Sequence, residues 1–223
     1  MGSPLSISTA GTQEIADDPL LYLPSSTVVH LGRGEVIYEA ERPCTQLYVV
    51  IAGTVQISRV NVQGRQIIID IYRTDDSFGE SALVGLERHG QEAVALEDTM
   101  LMSWARDEVE QVMDQRPTLG LALLSLMAQR EVHLAERMES LLVDSIPARL
   151  AKALTHFSER LGTPGQDGSV TMRGFTHEFL SQYIGTSREQ VTVTMGDLRR
   201  QQLINYSRRK TIIQSDALRG NAR

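Results

Sequence analysis

The stretch 176–202 constrains the fold of this chain more than any other, because two short amphipathic helical patterns are separated there by a single glycine. The apolar positions of the first pattern are Phe179, Leu180 and Tyr183, and those of the second are Val191, Met195 and Leu198. The second set has the i, i+4, i+7 spacing of one helix face. Gly185 permits a sharp turn between the helices, and Thr186 or Ser187 has the capping-box spacing that begins the second. The stretch therefore predicts a helix-turn-helix with its second helix at 187–201.

The residues that follow this motif predict a two-stranded hairpin with a basic tip. Two short apolar runs, 203–206 and 211–214, flank a polar segment whose cationic residues are Arg208, Arg209 and Lys210. A basic hairpin beside a helix-turn-helix is typical of a winged-helix domain whose tip contacts DNA phosphates. An ordinary helical hairpin with a solvated charged face is the alternative interpretation of the motif alone.

The distribution of charge favours a nucleic-acid partner for the C-terminal part of the chain. The whole sequence of 223 residues has a net charge of −6. Residues 1–144 contain ten arginines, no lysine and 22 acidic residues, whereas residues 145–223 contain twelve basic and six acidic residues. Such asymmetry points to an anionic partner for the basic part, and we expect the affinity for that partner to depend strongly on salt.

Cysteine content and hydropathy argue against several other classes of protein. The single cysteine, Cys44, cannot form a disulfide within the chain and cannot supply a four-cysteine metal site. No run approaches the ~20 apolar residues of a membrane span. The N-terminus lacks the basic and apolar segments of a secretory signal. We therefore expect a cytoplasmic protein without a membrane partner.

From residue 27 to about residue 104 the sequence predicts an all-β domain. Short apolar runs alternate with turns, and they fall at 28–31, 36–38, 47–51, 55–58, 66–71 and, as two strands, within 93–104. Strands of this length and spacing are typical of a sandwich or jelly roll. Short helices are expected after Gly79 and at 107–113.

A long helix is predicted to begin at Pro117. Its apolar positions approximate a coiled-coil seam, and the row consists of Leu121, Leu124, Ala128, Glu131, Leu134, Met138 and Leu141. Packing on its own β domain is the alternative for this stripe, but the length of the helix favours contact with a second chain as well. We expect the homodimer interface to include Leu124, Leu134, Met138 and Leu141.

The domain boundary is predicted near residue 144, where the balance of charge changes sign. Asp144 or Ser145 can cap a new helix there, with Pro147 in its first turn. The predicted parts are a mobile leader at 1–18, an effector-type β domain at 19–116, a dimerisation helix at 117–144 and a winged helix-turn-helix domain at 145–223. The fold class is therefore α+β, with a jelly-roll-like β-roll at its N-terminal end.

The order of these elements and three motifs resemble the cyclic-AMP receptor protein and fumarate–nitrate regulator (CRP/FNR) family of bacterial transcription factors. The motifs are Leu47-Tyr48-Val49 with the downstream Gly53, Phe78-Gly79-Glu80, and the sequence Gly-Thr-Ser-Arg-Glu-Gln-Val at 185–191. The resemblance implies a cyclic-nucleotide-binding-like β-roll and a parallel homodimer through the long helix. It also implies double-stranded DNA with a two-fold symmetric operator as the partner, together with RNA polymerase.

The resemblance assigns DNA contacts to the second helix of the motif. Arg188 can donate to guanine and Glu189 can accept from cytosine N4. His177 lies where the family often carries a phosphate contact. Val193 stands in place of a second base-reading arginine, so with Thr192 it suits a thymine methyl group. The full predicted DNA-binding set is His177, Ser187, Arg188, Glu189, Thr192, Val193, Arg208, Arg209 and Lys210.

The β domain departs from the family pattern for cyclic AMP at the phosphate position. Gly79 and Glu80 match the positions that hold the ribose, but Gln91-Glu92 falls where an Arg-Ser pair neutralises the cyclic phosphate. A carboxylate there would repel the phosphate, because a phosphate favours arginine as its partner. Arg88 could substitute only if the loop were rearranged.

The long helix departs from the same pattern. Polar residues that contact adenine in the family correspond here to Leu134 and Ala135. Because the chain departs from the family pattern at two places, we expect no response to cyclic AMP. The pocket could bind another ligand, or side chains could fill it so that it needs none. The candidate pocket comprises Gly79, Glu80, Ser81, Arg88, Gln91, Glu92 and Leu134.

Haem and cyclic-di-GMP are further effectors that the sequence leaves open without supporting them. Haem would need an axial ligand, and the N-terminal candidates are His30, His89 and His133. A lone histidine is more often a surface or structural residue. No cofactor and no metal site are predicted.

Two rival functions differ from a DNA-binding regulator in testable ways. A cupin-type metal enzyme shares the β-roll, but it needs clustered ligands, and the β region offers only His30 and His89, far apart in sequence. A nucleotide-sensing module that acts through a protein partner would show no sequence preference for DNA. The sequence favours a non-enzymatic, homodimeric transcription regulator.

Overall fold

The computed structural model describes residues 23, 27–85, 90–207, 209–214, 217–218 and 220. The predicted leader at 1–18 lies outside these residues, as do Arg88, His89 and Arg208. Within them the predicted order of a β-roll, a long helix and a winged helix-turn-helix is confirmed.

The β-roll consists of two antiparallel sheets. Its strands are β1 (Thr27–Leu31), β2 (Val36–Tyr38), β3 (Gln46–Ala52), β4 (Thr54–Val60), β5 (Gln66–Arg73), β6 (Ser77–Phe78), β7 (Glu92–Ala95) and β8 (Thr99–Ala105). The sheet orders are β1-β8-β3-β6 and β2-β7-β4-β5. A short 3-10 helix, Glu80–Ala82, follows β6. The expected strands are confirmed, whereas β6 is too short to leave a periodic signal in the sequence.

An aromatic cluster fills the space between the two sheets. The rings of Tyr48 and Phe78 stack with centroids 5.1 Å apart, and Tyr72 and Tyr38 contact Phe78 at 5.6 and 6.2 Å. Val50, Val55, Ile57 and Leu101 complete this core. Aromatic rings bury large areas and favour such offset or tilted contacts, so they hold the two sheets together.

Two helices connect the β-roll to the C-terminal part of the chain. They are α1 (Arg106–Gln115) and α2 (Thr118–Val143). The beginning of α2 packs through Leu119 and Leu123 on a cluster that contains the buried Trp104. Among the described residues, no helix is both long and apolar enough to cross a membrane.

The C-terminal part begins with α3 (Ile146–Leu161), which Ser145 caps by accepting a hydrogen bond from the Ala148 amide. Pro147 lies in its first turn, as predicted. The helix ends at Leu161, and Phe157 and Ser158 are among the residues that it buries.

The helix-turn-helix and wing follow. They comprise α4 (His177–Ile184), α5 (Arg188–Arg200) and the strands β9 (Thr163–Pro164), β10 (Ser169–Arg173), β11 (Ile204–Tyr206) and β12 (Lys210–Gln214). The strands form one sheet in the order β11-β12-β10-β9. Gly185 has a φ of 68°, the left-handed conformation that the turn requires. Ser187, the second of the two candidates, caps α5 by accepting from the Gln190 amide at 3.3 Å.

The winged domain is docked against the β-roll through strand β5. Ile68 and Ile71 are fully buried in the same cluster as Leu150, Tyr183 and Ile184 of the winged domain. Burying an isoleucine stabilises by about 1.5–3 kcal/mol. The apolar contact therefore holds the winged domain on β5.

Candidate nucleic-acid interface

Helix α5 exposes the surface that the sequence assigned to DNA. Val191, Met195 and Leu198 are buried, whereas Arg188, Glu189 and Thr192 are exposed on the opposite side. Val193 is 61% exposed. Among the described residues, no hydrogen bond or ion pair engages the Arg188 guanidinium. Its donors are therefore available to a base or a phosphate.

The first turn of α5 also prepares an acceptor. Ser187 accepts from the Gln190 amide, which leaves its hydroxyl proton for the neighbouring carboxylate. Hydrogen bonds from the backbone amide of Glu189, and then from the Ser187 hydroxyl, hold the pKa of Glu189 below its usual value. The Glu189 carboxylate is thus ionised at neutral pH and can accept a hydrogen bond from a cytosine amino group.

His177 and Thr192 are brought together across the helix-turn-helix. Nδ1 of His177 lies 2.8 Å from Oγ1 of Thr192, and that hydroxyl donates to the Arg188 carbonyl oxygen at 2.9 Å. Because the hydroxyl has one proton, this network assigns the imidazole proton to Nδ1. The methyl group of the exposed Thr192 takes no part in this network. Burial, and then the Arg188 guanidinium, lower the pKa of His177.

The basic side chains of the wing that the structure describes are exposed to solvent. Arg209 and Lys210 are exposed, and their backbone amides donate to the Ser207 hydroxyl at 3.4 and 3.2 Å. Tyr206 connects the wing to the recognition side, because its ring lies 5.7 Å from that of His177. The wing and α5 therefore form one basic surface.

The predicted effector pocket contains an internal ion pair. Arg130 of α2 lies 3.0 Å from the Glu80 carboxylate, donates to the Ser77 carbonyl oxygen and stands 4.7 Å above the Tyr72 ring. Sequence reasoning did not find Arg130, because no local pattern links it to Glu80. The carboxylate expected to hold a ribose thus already has a partner.

Four further residues of the predicted pocket, Gly79, Ser81, Gln91 and Glu92, lie just after β6 or at the start of β7. Gly79 has a φ of 85°, and a Cβ atom there would lie 2.5 Å from the Gln46 carbonyl oxygen, so glycine is required. Ser81 lies close to the buried Cys44, and burial raises the pKa of that thiol. Glu92 belongs to β7, where it pairs with Ser58 of β4. Gln91 directly precedes that strand.

Helix α2 exposes an apolar stripe along most of its length. Its large exposed apolar residues are Leu121 (63%), Leu124 (64%), Val132 (59%), Leu134 (48%), Met138 (61%), Leu141 (41%), Leu142 (80%) and Val143 (76%). At 100° per residue, most of them share one face with Ala128 and Ala135, while Leu134 lies at its flank. Leu141 is exposed as well, and its Cδ2 lies 3.2 Å from the point where a Cβ on Gly185 would stand.

A polar cluster lies where the β-roll, α2 and the winged domain meet. Arg137 donates from one nitrogen to the carbonyl oxygens of Ile68 and Tyr183, both at 2.6 Å, and its guanidinium stands 3.9 Å above the Tyr183 ring. Arg160 of α3 pairs with Asp70 of β5 at 3.3 Å and also with Asp76. These links add directional contacts to the apolar docking on β5.

The same junction brings His133 and His156 together. Their rings stack with centroids 4.2 Å apart, and His156 Nε2 lies 3.8 Å from the Asp70 carboxylate. Burial on its own raises the pKa of Asp70, but His156 and Arg160 outweigh burial and lower it. His30, another proposed haem ligand, lies exposed on β1. His156 was not among the predicted site residues, because its neighbours are distant in sequence.

Comparison with known proteins agrees with this architecture. A model of the cyclic nucleotide-binding domain matches residues 28–116, and one of the Crp-like helix-turn-helix domain matches residues 148–220. The chain is 30% identical over 159 residues to the transcriptional regulator SdrP of Thermus thermophilus, covering 71% of this chain and 74% of that protein. It is 27% identical over 169 residues to the CRP-like cAMP-activated global transcriptional regulator of Mycobacterium tuberculosis, covering 76% and 75%. The structure of FixK2 from Bradyrhizobium japonicum, 21% identical, has the same fold, with a TM-score of 0.79 over 90% of this chain and 98% of that chain.

The β-roll, the long helix and the exposed recognition surface define a transcription regulator with a helix-turn-helix DNA-binding domain. The chain belongs to the CRP/FNR family of transcription regulators. Its N-terminal part is a cyclic-nucleotide-binding-like domain.

Proposed function

We propose that the protein is a homodimer that binds a two-fold symmetric operator and regulates transcription without cyclic AMP. The observation that carries the proposal is the combination of an exposed recognition helix with an exposed apolar stripe on α2. A large exposed apolar face marks an interaction surface, and a second copy of α2 matches it in length and chemistry. Two recognition helices would then read half-sites about one helical turn apart.

The proposed base contacts follow from the side chains of α5. Arg188 donates to guanine, and the ionised Glu189 carboxylate accepts from cytosine N4. Val193 and the methyl group of Thr192 favour a thymine C5-methyl group. His177, Arg208, Arg209 and Lys210 are assigned to phosphates. Selection from random duplexes tests this proposal, because it reports sequence preference and symmetry together.

Independence from cyclic AMP is supported by the ion pair between Arg130 and Glu80. A bound ribose would have to compete for a carboxylate that a guanidinium already holds, and the aromatic rings of Tyr48, Tyr72 and Phe78 fill the neighbouring interior. The relative from M. tuberculosis is cAMP-activated, so a response of this kind exists among related proteins. Another small ligand, such as cyclic-di-GMP or haem, has no described residue set that favours it.

We expect micromolar cyclic AMP to leave the melting temperature unchanged. Saturation at 100 times the dissociation constant would stabilise by about 2.7 kcal/mol, and each kcal/mol moves the melting temperature of a chain this size by about 2–4 °C. Differential scanning fluorimetry with and without the nucleotide measures the shift. A saturable upward shift would show that the Arg130–Glu80 pair opens for the ligand.

We also expect His177 to make DNA binding depend on pH. The pKa of His177 is lowered, so near pH 7.5 the ring is neutral, and with its proton on Nδ1 it offers a phosphate no donor at Nε2. Binding to phosphate favours the protonated ring, so affinity rises as the pH falls toward the lowered pKa of His177. Fluorescence anisotropy at constant salt should show a steeper rise between about pH 7.5 and 5.5 for the natural protein than for His177→Gln. Equal slopes would remove His177 from the set of phosphate contacts.

The proposed partner and the alternative functions can be judged from the relatives of this chain. RNA polymerase is the proposed protein partner, since the relatives regulate transcription, and the cytoplasm is where a bacterial regulator meets chromosomal DNA. Known relatives are regulators rather than enzymes, so the cupin-type alternative has no support among them. The rival module that acts only through a protein partner requires DNA binding without sequence preference.

A further inference from the structure

Three ligand-type side chains from different parts of the chain converge at the domain junction. Asp70 belongs to β5, His133 to α2 and His156 to α3. One possible ligand atom from each lies within 4.8 Å of the others. The three residues thus join the β-roll, the long helix and the winged domain at one point.

The imidazole rings of His133 and His156 each have a buried nitrogen that forms no hydrogen bond among the described residues. Nε2 of His133 and Nε2 of His156 are both buried, and neither has a hydrogen-bond partner among the described residues. The 3.8 Å between His156 Nε2 and Asp70 Oδ1 is too long for a hydrogen bond. Buried polar atoms are nearly always bonded, because leaving one unpaired is costly. Two buried imidazole nitrogens without a hydrogen-bond partner, close to the Asp70 carboxylate, therefore point to a ligand bound between the three side chains.

We propose that Asp70, His133 and His156 bind a divalent transition-metal ion, with Zn²⁺ as the first candidate. Two imidazole nitrogens and one carboxylate oxygen suit a metal of borderline softness. Ligand bonds of about 2.0–2.1 Å in a tetrahedron place neighbouring ligand atoms about 3.3 Å apart. The 3.8 Å between His156 and Asp70 is close to that separation. The two imidazole rings stack nearly parallel, so they must turn before both Nε2 lone pairs can meet at one ion.

The surroundings of Asp70 orient its carboxylate for this role. Arg160 contacts Oδ2 at 3.3 Å, while the Ile71 amide donates to Oδ1 at 2.7 Å and leaves one lone pair of that atom free. Such outer contacts commonly fix the ligands of a metal. Asp76 in turn offsets the charge of Arg160.

A cavity of about 300 Å³ adjoins the two histidines and gives an ion a route of entry. Glu136 and Glu159 line it and favour a cation, whereas Arg137, Arg149 and Lys152 oppose one. Arg137 and Arg149 are engaged by carbonyl oxygens, which offsets part of their charge. Water or a cavity carboxylate can occupy the fourth coordination position.

A metal at this point would tie the winged domain to the β-roll and α2. Its ligands span all three parts, so bound metal stabilises the docked arrangement by mass action. Loss of metal would leave the apolar contact of Ile68 and Ile71 and the arginine links to hold the winged domain in place. The regulator would thus have a metal-dependent contact between its domains. This inference does not rest on the proposed operator or on the absence of an effector.

The test uses the full-length protein, free of any affinity tag and stripped with a chelator. Zn²⁺ is titrated by calorimetry, and Co²⁺ serves as a spectroscopic probe of the coordination geometry. The variants are His133→Gln and His156→Gln, and the matched control is His30→Gln, which changes an exposed histidine. Circular dichroism checks that each variant is folded, and X-ray absorption of the zinc-loaded natural protein identifies its ligands.

We expect one ion per chain, imidazole and oxygen ligands, and unchanged binding in His30→Gln. Loss of an outer-shell partner weakens metal binding by about 10–100-fold, so loss of a ligand should weaken it by more than about 100-fold. If one variant fails to fold, the other variant and the absorption spectrum decide. Absence of stoichiometric binding in the natural protein, or natural affinity in a folded glutamine variant, would overturn the proposal.

Discussion

Leu124→Asp is expected to convert the protein to monomers and to weaken operator binding by at least about 100-fold. Leu124 is 64% exposed in the single chain and lies on the apolar stripe of α2. In a symmetric interface the substitution puts two like charges into an apolar seam, and an unpaired buried charge costs about 3–5 kcal/mol. Monomers also lose the gain from binding two half-sites together, which reaches about 10²–10⁴-fold.

Gln129→Asp is the matched control for this variant. Gln129 is exposed on the same helix but is turned about 120° away from the stripe at 100° per residue. Sedimentation equilibrium and anisotropy with an operator duplex compare the two variants. We expect the control to remain dimeric and to bind normally. A dimeric Leu124→Asp protein with natural affinity would contradict the proposed interface.

Arg188→Ala is expected to cost about 1–3 kcal/mol of operator affinity and to relax the preference at one G·C pair in each half-site. Since the Arg188 guanidinium has no hydrogen bond or ion pair within the described residues, its removal should leave folding intact. A change in melting temperature is therefore not expected. Anisotropy titrations with the operator and with single-base variants measure both the loss and the change in preference.

Two other arginine variants, Arg42→Ala and Arg209→Ala, show whether the effect of Arg188→Ala comes from a lost base contact or only from the lost charge. Arg42→Ala removes an equal charge from an exposed position in the β-roll and should have little effect. Arg209→Ala, at the wing, should weaken all duplexes alike and lower the salt slope by about 1. If Arg188→Ala instead weakened every duplex equally, Arg188 would contact phosphate and the orientation of α5 would differ from the proposal.

Local patterns predicted the recognition domain well. The buried positions Val191, Met195 and Leu198 follow from helical spacing, and the left-handed Gly185 follows from the turn between two helices. Capping chemistry allowed Thr186 or Ser187, and the structure selects Ser187. These features depend on residues close in sequence, so the sequence alone suffices to find them.

Features that depend on distant contacts were not predicted. The Arg130–Glu80 pair and the junction of Asp70, His133 and His156 join segments far apart in the chain, and no spacing rule reveals them. Strand β10 was also missed, because its pairing with β12 is what defines it. Leu141 fits the heptad spacing of α2 and is 41% exposed, but its closeness to Gly185 does not follow from that spacing. Packing between parts of the chain decided each of these cases.

Selection from random duplexes tests the central claim most directly. The full-length protein is incubated at fixed salt with duplexes that contain a long random segment, and the bound fraction is sequenced over several rounds. We expect an inverted repeat whose half-sites lie about one helical turn apart, each with one strongly required G·C pair. The same result is expected with and without cyclic AMP. Enrichment of no sequence, or of a single asymmetric site, would contradict a homodimeric, sequence-specific regulator.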